Sequence, residues 1–224
     1  MADRDHSNHF VTKEETMKKQ AMHYDTLLKV ARAISETKDV EQIVQMAVAS
    51  VRNTMEAKGC SIFLINRKTK ELELAASYGL SDEYLQKGPV SHLHSIQESL
   101  EEGPVAICDV MDDPRIQYPK EAKKEVIRSI LGVPILIHGN VIGVMRIYTS
   151  EAWDFTLADV DFVQAVAQIC GMAIDICRLH KGYKTSIEIL KTMRNPRELR
   201  SRRRTPHEGI PVSVGHSICT QVME

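Results

Sequence analysis

The sequence has no run approaching the ~18 consecutive apolar residues of a membrane-crossing helix. Its first residues, MADRDHSNHF, carry acids and histidines where a secretion signal has a basic flank and an apolar core. These absences predict a protein of the cytoplasm, with no membrane partner. The five cysteines, Cys60, Cys108, Cys170, Cys177 and Cys219, include no CxxC pair and no Cys/His metal spacing, so reduced thiols are expected rather than a disulfide framework or a zinc site. Net charge is also nearly missing. At −1 the chain has no global attraction to nucleic acid or acidic lipid. That balance hides a split: from Lys181 onward there are nine Lys+Arg against four Asp+Glu, leaving twenty against twenty-six before it. The body is acidic and the tail basic. The arginines at 200, 202, 203 and 204 have no aromatic residues among them for base stacking, so nucleic acid is not the expected partner.

A chain of 224 residues, 43% hydrophobic and 26% charged, suits one well-buried domain with extensions. The central feature is SILGVPILIHGNVIGVMRIY, Ser129 to Tyr148. Apolar residues at odd and even positions alike predict a strand pair covered on both faces, and Gly139-Asn140 is read as the tight turn between them. Arg146 interrupts the pattern. It shares a strand face with Val144 and Tyr148 and needs a carboxylate partner or an anionic ligand there.

Around this hairpin the chain reads in order. A helix runs from about Thr12 to Thr37, and Asp39 and Gln42 form a capping pattern for a second one with a Val40–Met55 stripe. CSIFLIN and ELELAAS, 60–66 and 71–77, form a hairpin, the second strand nearer the sheet edge. Residues 78 to 103 lack a long period. Within them Ser81 can cap a short helix. PVAICDV, 104–110, is a strand, and a short charged helix near Lys120–Lys124 follows MDDPRIQYP. Thr156 and Asp159 match another capping box, opening a helix from Leu157 to about Tyr183 that SIEILKTM could extend. The last residues have arginine runs, Pro and Gly without a period, and are expected to be mostly disordered.

The stretches 94–119, 129–148 and 155–174 resemble, in this order, the GAF domain, the small-molecule-sensing relative of the PAS fold. The resemblance spans residues 25–182, with 1–24 as a helical extension and 183–224 as the tail. It implies an α+β fold: a central antiparallel sheet of about six strands, the terminal helices on one face and a lid of loops and short helices, residues 78–128, on the other. It also implies a small-molecule effector, which the family varies among cyclic nucleotides, tetrapyrroles, haem and amino acids, so neither ligand nor cofactor is identified. Pairing as a homodimer through the long terminal helices, and a signalling partner such as a histidine kinase, follow from the same resemblance.

The candidate ligand contacts are His94, Ser95, Cys108, Asp109, Asp112, Arg115, Tyr118, Ser129 and Arg146. Each has a plainer reading. The aspartates and Arg115 are also loop formers, Arg146 an internal ion-pair member, and Cys108 a small core hydrophobe. Bilin-binding relatives place Cys before His, whereas Ser91 precedes His92 and Leu93 precedes His94. No metal set is completed by these histidines, and the signature of cyclic-nucleotide modules is not found. An enzyme of the free-methionine-sulfoxide-reductase type would rest on Cys108 alone, since Cys60, Cys170 and Cys177 read as core. The third reading is a ligand-free scaffold acting through its helices and tail.

Overall fold

The computed structural model describes residues 3–194 apart from 38, 67, 70, 87–102 and 112. Two long helices open the chain, α1 (Asp3–Glu36) and α2 (Val40–Thr54). Strands β1 (Gly59–Ile65) and β2 (Leu72–Tyr78) follow, then α3 (Asp82–Leu85), β3 (Val105–Ile107) and α4 (Pro119–Lys124). The central hairpin β4 (Ser129–Ile137) and β5 (Asn140–Thr149) leads into α5 (Leu157–Arg194). Residues Met1–His180 form one compact unit and Lys181–Glu224 a second, of which the end of α5 is the described part.

All strand pairs are antiparallel, in the order β2-β1-β5-β4-β3. Among the described residues there are five strands rather than about six, matching the five apolar runs visible in the sequence; the sixth came from the resemblance alone. The third strand is also shorter than expected, because the chain bends at Cys108. The helix α1 begins at Asp3 rather than near Thr12, over polar residues that have no apolar period to announce it.

Alternation sorts the strands into two faces. Cys60 and Ile62, Leu131, Val133 and Ile135, Met145 and Ile147 pack with Val30 of α1, the Val44–Val51 stripe of α2 and Phe162 to Ile174 of α5 in the main core. Each fully buried aliphatic side chain there contributes about 1.5–3 kcal/mol. At Gly171, α5 lies so close to β4 that a Cβ would meet the Leu136 carbonyl oxygen at 2.5 Å. Within Leu157–Lys191 an 18-residue stretch has a mean hydropathy of 1.5, long and apolar enough by composition to cross a membrane, a property missed by counting consecutive apolar residues; half of that stretch is buried inside the protein.

Both capping patterns are used, one of them differently. Thr156 and Asp159 make the full reciprocal box: Thr156 N–H and hydroxyl donate to Asp159 Oδ2 at 3.1 and 2.8 Å, and Asp159 N–H donates to the Thr156 hydroxyl at 3.2 Å. Asp39 accepts from Glu41 N–H at 3.0 Å, but its own N–H goes to Thr37 rather than Gln42. The tight turn is His138-Gly139, with φ of 50° and 76°, while Asn140 already pairs with Ile137 as the first residue of β5. Two successive positive φ values are those of the two-residue turn whose twist suits a hairpin.

Candidate effector site

On the sheet face turned away from the long helices, the register sets one residue of each strand in a row: Ser77, Ser61, Arg146, Gly132 and Val105. Two apolar clusters flank it. One joins Phe63, Leu72 and Val144. The other joins Ile107, Ile130 and Tyr148 of the sheet to Tyr84 of α3, Ala122 of α4, and Val110 and Ile127 of the connecting loops. The short helices therefore lie over the β3–β4 side of this face, held there by the same burial that holds the core.

Between the clusters the face is polar. Ser61 is wholly buried and Arg146 is 8% exposed. The Ser61 and Tyr148 hydroxyls lie 3.1 Å apart, and Tyr84 meets the Tyr148 ring edge-on at 5.8 Å. The Arg146 guanidinium stands over the Phe63 ring at 5.7 Å, a cation–π contact. Burial pushes the Tyr84 hydroxyl far up, aided by Tyr148 and opposed by the Arg146 charge, so it is a neutral donor. A guanidinium fork and three hydroxyls on an otherwise apolar surface suit a small molecule with one acidic or hydrogen-bond-accepting end.

Of the candidates from the sequence, Arg146 is in the middle of this row. Asp109, Arg115 and Tyr118 belong to the lid, where their own neighbours engage them. Arg128 pairs with Asp109 Oδ2 at 2.6 Å, and Met111 N–H donates to Asp109 Oδ1. Arg115 forks onto Asp113, whose carboxyl the guanidinium holds below the usual range despite partial burial, and whose Oδ1 also accepts the Arg115 N–H. Tyr118 occupies the N-cap position of α4 and accepts from the Gln117 amide at 3.1 Å. His94, Ser95 and Asp112 lie outside the described residues.

Ser129 and Cys108 are corrected by the geometry. Ser129 shares the parity of Leu131 and Val133 and so faces away from Arg146; its hydroxyl donates to the Cys108 carbonyl at 2.6 Å and accepts from Trp153 N–H at 2.8 Å, tying β4 to the link before α5. Cys108 is exposed rather than buried in a core. Desolvation first, then a hydrogen bond with the Asp154 carboxyl, raise its thiol, which opposes thiolate chemistry. Cys60 and Cys170 are core thiols as expected, and burial pushes Cys170 up to about 12. No group of three metal-ligating side chains occurs among the described residues. Ser61, Tyr84 and Phe63 were missed because their place beside Arg146 depends on the β1–β5 register and on how α3 folds over; parity alone placed Tyr148 on the Arg146 face.

Comparison with known proteins agrees with this architecture. The family model of the GAF domain matches residues 37–175. A probable 3',5'-cyclic phosphodiesterase, pde-5, of Caenorhabditis elegans is 24% identical over 201 residues, covering 79% of this chain and 27% of the relative. The chain thus spans about a quarter of that protein. Among solved structures, the GAF domain of a phosphoenolpyruvate-protein phosphotransferase from Coxiella burnetii superposes with a TM-score of 0.64 at 20% identity, covering 71% of this chain and 96% of the other. The free methionine-R-sulfoxide reductase of Neisseria meningitidis, in complex with its substrate, superposes with a TM-score of 0.61 at 18% identity, covering 71% and 92%. At these identities the two structures speak for the fold alone.

Proposed function

Because the chain belongs to the GAF domain family, a small-molecule sensor fold, we propose that it is a cytoplasmic sensor that takes a small effector on the sheet face bearing Arg146 and signals as a homodimer through α1 and α5. The observation that carries the effector site is the polar row itself: a nearly buried guanidinium beside a buried hydroxyl pair, set between two apolar clusters. A nearly buried charge is costly to desolvate, and an anionic ligand end is one group that would offset that cost.

The relative in C. elegans makes 3',5'-cyclic nucleotides the first effector class to test. Their single phosphate offers the anionic end that Arg146 and the hydroxyls suit. A thermal-shift screen of cyclic nucleotides, amino acids and haem tests the reading. A ligand at one hundred times its Kd stabilises by about 2.7 kcal/mol. A shift by one class that Arg146→Leu removes supports it, and no shift by any class counts against sensing.

An outward apolar row on each of the two helices supports the pairing. On α1, Met17 and Tyr24 are each 62% exposed, and Ala21, Leu28 and Ala31 complete alternating steps of four and three. On α5, Met172, Ile176 and Leu179, 47 to 55% exposed, keep the same spacing in the first unit, and Tyr183 and Leu190 in the second continue its seven-residue period in the sequence. Rows of this spacing suit the seam of a coiled coil and support the pairing reading. An output partner such as a histidine kinase would read the state of these helices.

A further inference from the structure

A second polar cluster, remote in sequence from the effector face, joins the first and last helices. His23 of α1 is 7% exposed and stacks flat on Phe162 of α5, with ring centroids 4.1 Å apart and planes within 9°. One turn earlier, Lys19 Nζ reaches Asp159 Oδ1 at 2.7 Å and lies 5.7 Å over the Trp153 ring. One turn later, the Thr26 and Thr54 hydroxyls meet at 2.6 Å between α1 and α2. Together with Val30 and Ala33, these contacts hold the second half of α1 to the domain.

Among the described residues the cluster has one carboxylate, Asp159, and its Oδ1 has the Lys19 ion pair but no hydrogen-bond donor besides. Asp159 Oδ2 accepts both Thr156 donors, and Oδ1 takes the Lys19 ammonium. The buried Nε2 of His23 has no hydrogen-bond partner among the described residues. A proton on the ring would therefore create a buried cation near the partly exposed Lys19 ammonium, with no acceptor of its own among the described residues. The charged groups acting on the ring are Lys19 on its own helix and Asp159 on α5; α2 presents uncharged Thr54 nearby.

We infer that His23 is a pH-sensitive latch: neutral, it docks α1 against Phe162, and protonated, it releases the docked segment around Lys19–Val30. Burial lowers the His23 pKa first, Lys19 lowers it further, and Asp159 only partly opposes them. A histidine whose folded-state pKa is depressed stabilises the docked form fully above its ordinary range near pH 6.5, and that stabilisation is lost as pH falls through that range toward the folded-state value. Since α1 carries the outward row of Met17, Tyr24 and Leu28, the latch would couple proton binding to the helix proposed to pair.

Amide hydrogen exchange on the full chain, corrected for intrinsic rates, at about pH 7.5 and about pH 5.5, on either side of the ordinary histidine range, tests this. The expected result is a several-fold loss of protection over Lys19–Val30 at the lower pH, with β5 unchanged. His23→Phe, which keeps the stack and removes the proton site, should be equally protected at both. Should that variant fail to fold, His23→Gln serves, and it should likewise lose the pH response. Equal protection in the natural chain at both pH values overturns the latch. So does a loss shared by β5, or an equal loss in the folded variant.

Discussion

The hydroxyls of Ser61 and Tyr148 lie 3.1 Å apart across the β1–β5 seam, both on side chains wholly withdrawn from solvent. A buried neutral pair of this kind contributes about 0.5–1.5 kcal/mol. Tyr148→Phe and Ser61→Ala should each cost about 1 kcal/mol in urea unfolding, because each leaves the other hydroxyl unmatched. The double variant should cost clearly less than the two together. Additive losses would mean that the pair is not coupled.

Val126 has φ of 58°, left-handed backbone that a β-branched residue strongly disfavours. It occupies the position after the α4 C-cap where glycine is usual: Val126 N–H donates to the Lys123 carbonyl and Ile127 N–H to that of Ala122. Its side chain is 59% exposed and contributes little packing. Val126→Gly should therefore stabilise the protein by about 1 kcal/mol, seen as a higher urea midpoint with unchanged slope.

Gly171 is where α5 presses on β4. A methyl group there would meet the Leu136 carbonyl oxygen at 2.5 Å, and backbone on both sides cannot yield cheaply. Gly171→Ala should cost about 1–3 kcal/mol, against the gain that alanine brings to an exposed helix position. A neutral or raised melting temperature would show that the helix can lift from the sheet without loss.

Ile176 and Leu179 are 55% and 53% exposed, so neither holds the core. Ile176→Asp with Leu179→Asp should leave circular dichroism unchanged and convert the particle from twice the chain mass to once, read by light scattering. Retention of a dimer would move the pairing surface elsewhere.

The sequence discloses much of this, for reasons that differ by element. The two-faced burial of β4 and β5 is visible because apolar residues at both parities mark a strand covered on both faces. The Thr156–Asp159 box was visible because its two partners are three residues apart. The turn was placed one residue late, since Gly139 allows a positive φ with either neighbour and only the Ile137–Asn140 pairing decides. Ser129 is a candidate by its place in the hairpin motif alone; the β4–β5 register, with Gly132 opposite Arg146, puts it on the other face. Cys108 was expected inside because free cysteine usually is; its exposure follows from the bend that ends β3 after Ile107. The grouping of Ser61, Tyr84 and Arg146 was the least legible, since it joins residues far apart in sequence through register and lid packing.

Native mass spectrometry of the full chain, mixed with 3',5'-cyclic nucleotides and then with other small effectors, tests the central claim most directly. The sensor reading predicts a dimer that retains one effector per chain, and an Arg146→Leu variant that stays dimeric but retains none. A monomer, a dimer that retains nothing offered, or a variant that holds the effector as well as the natural chain would contradict it.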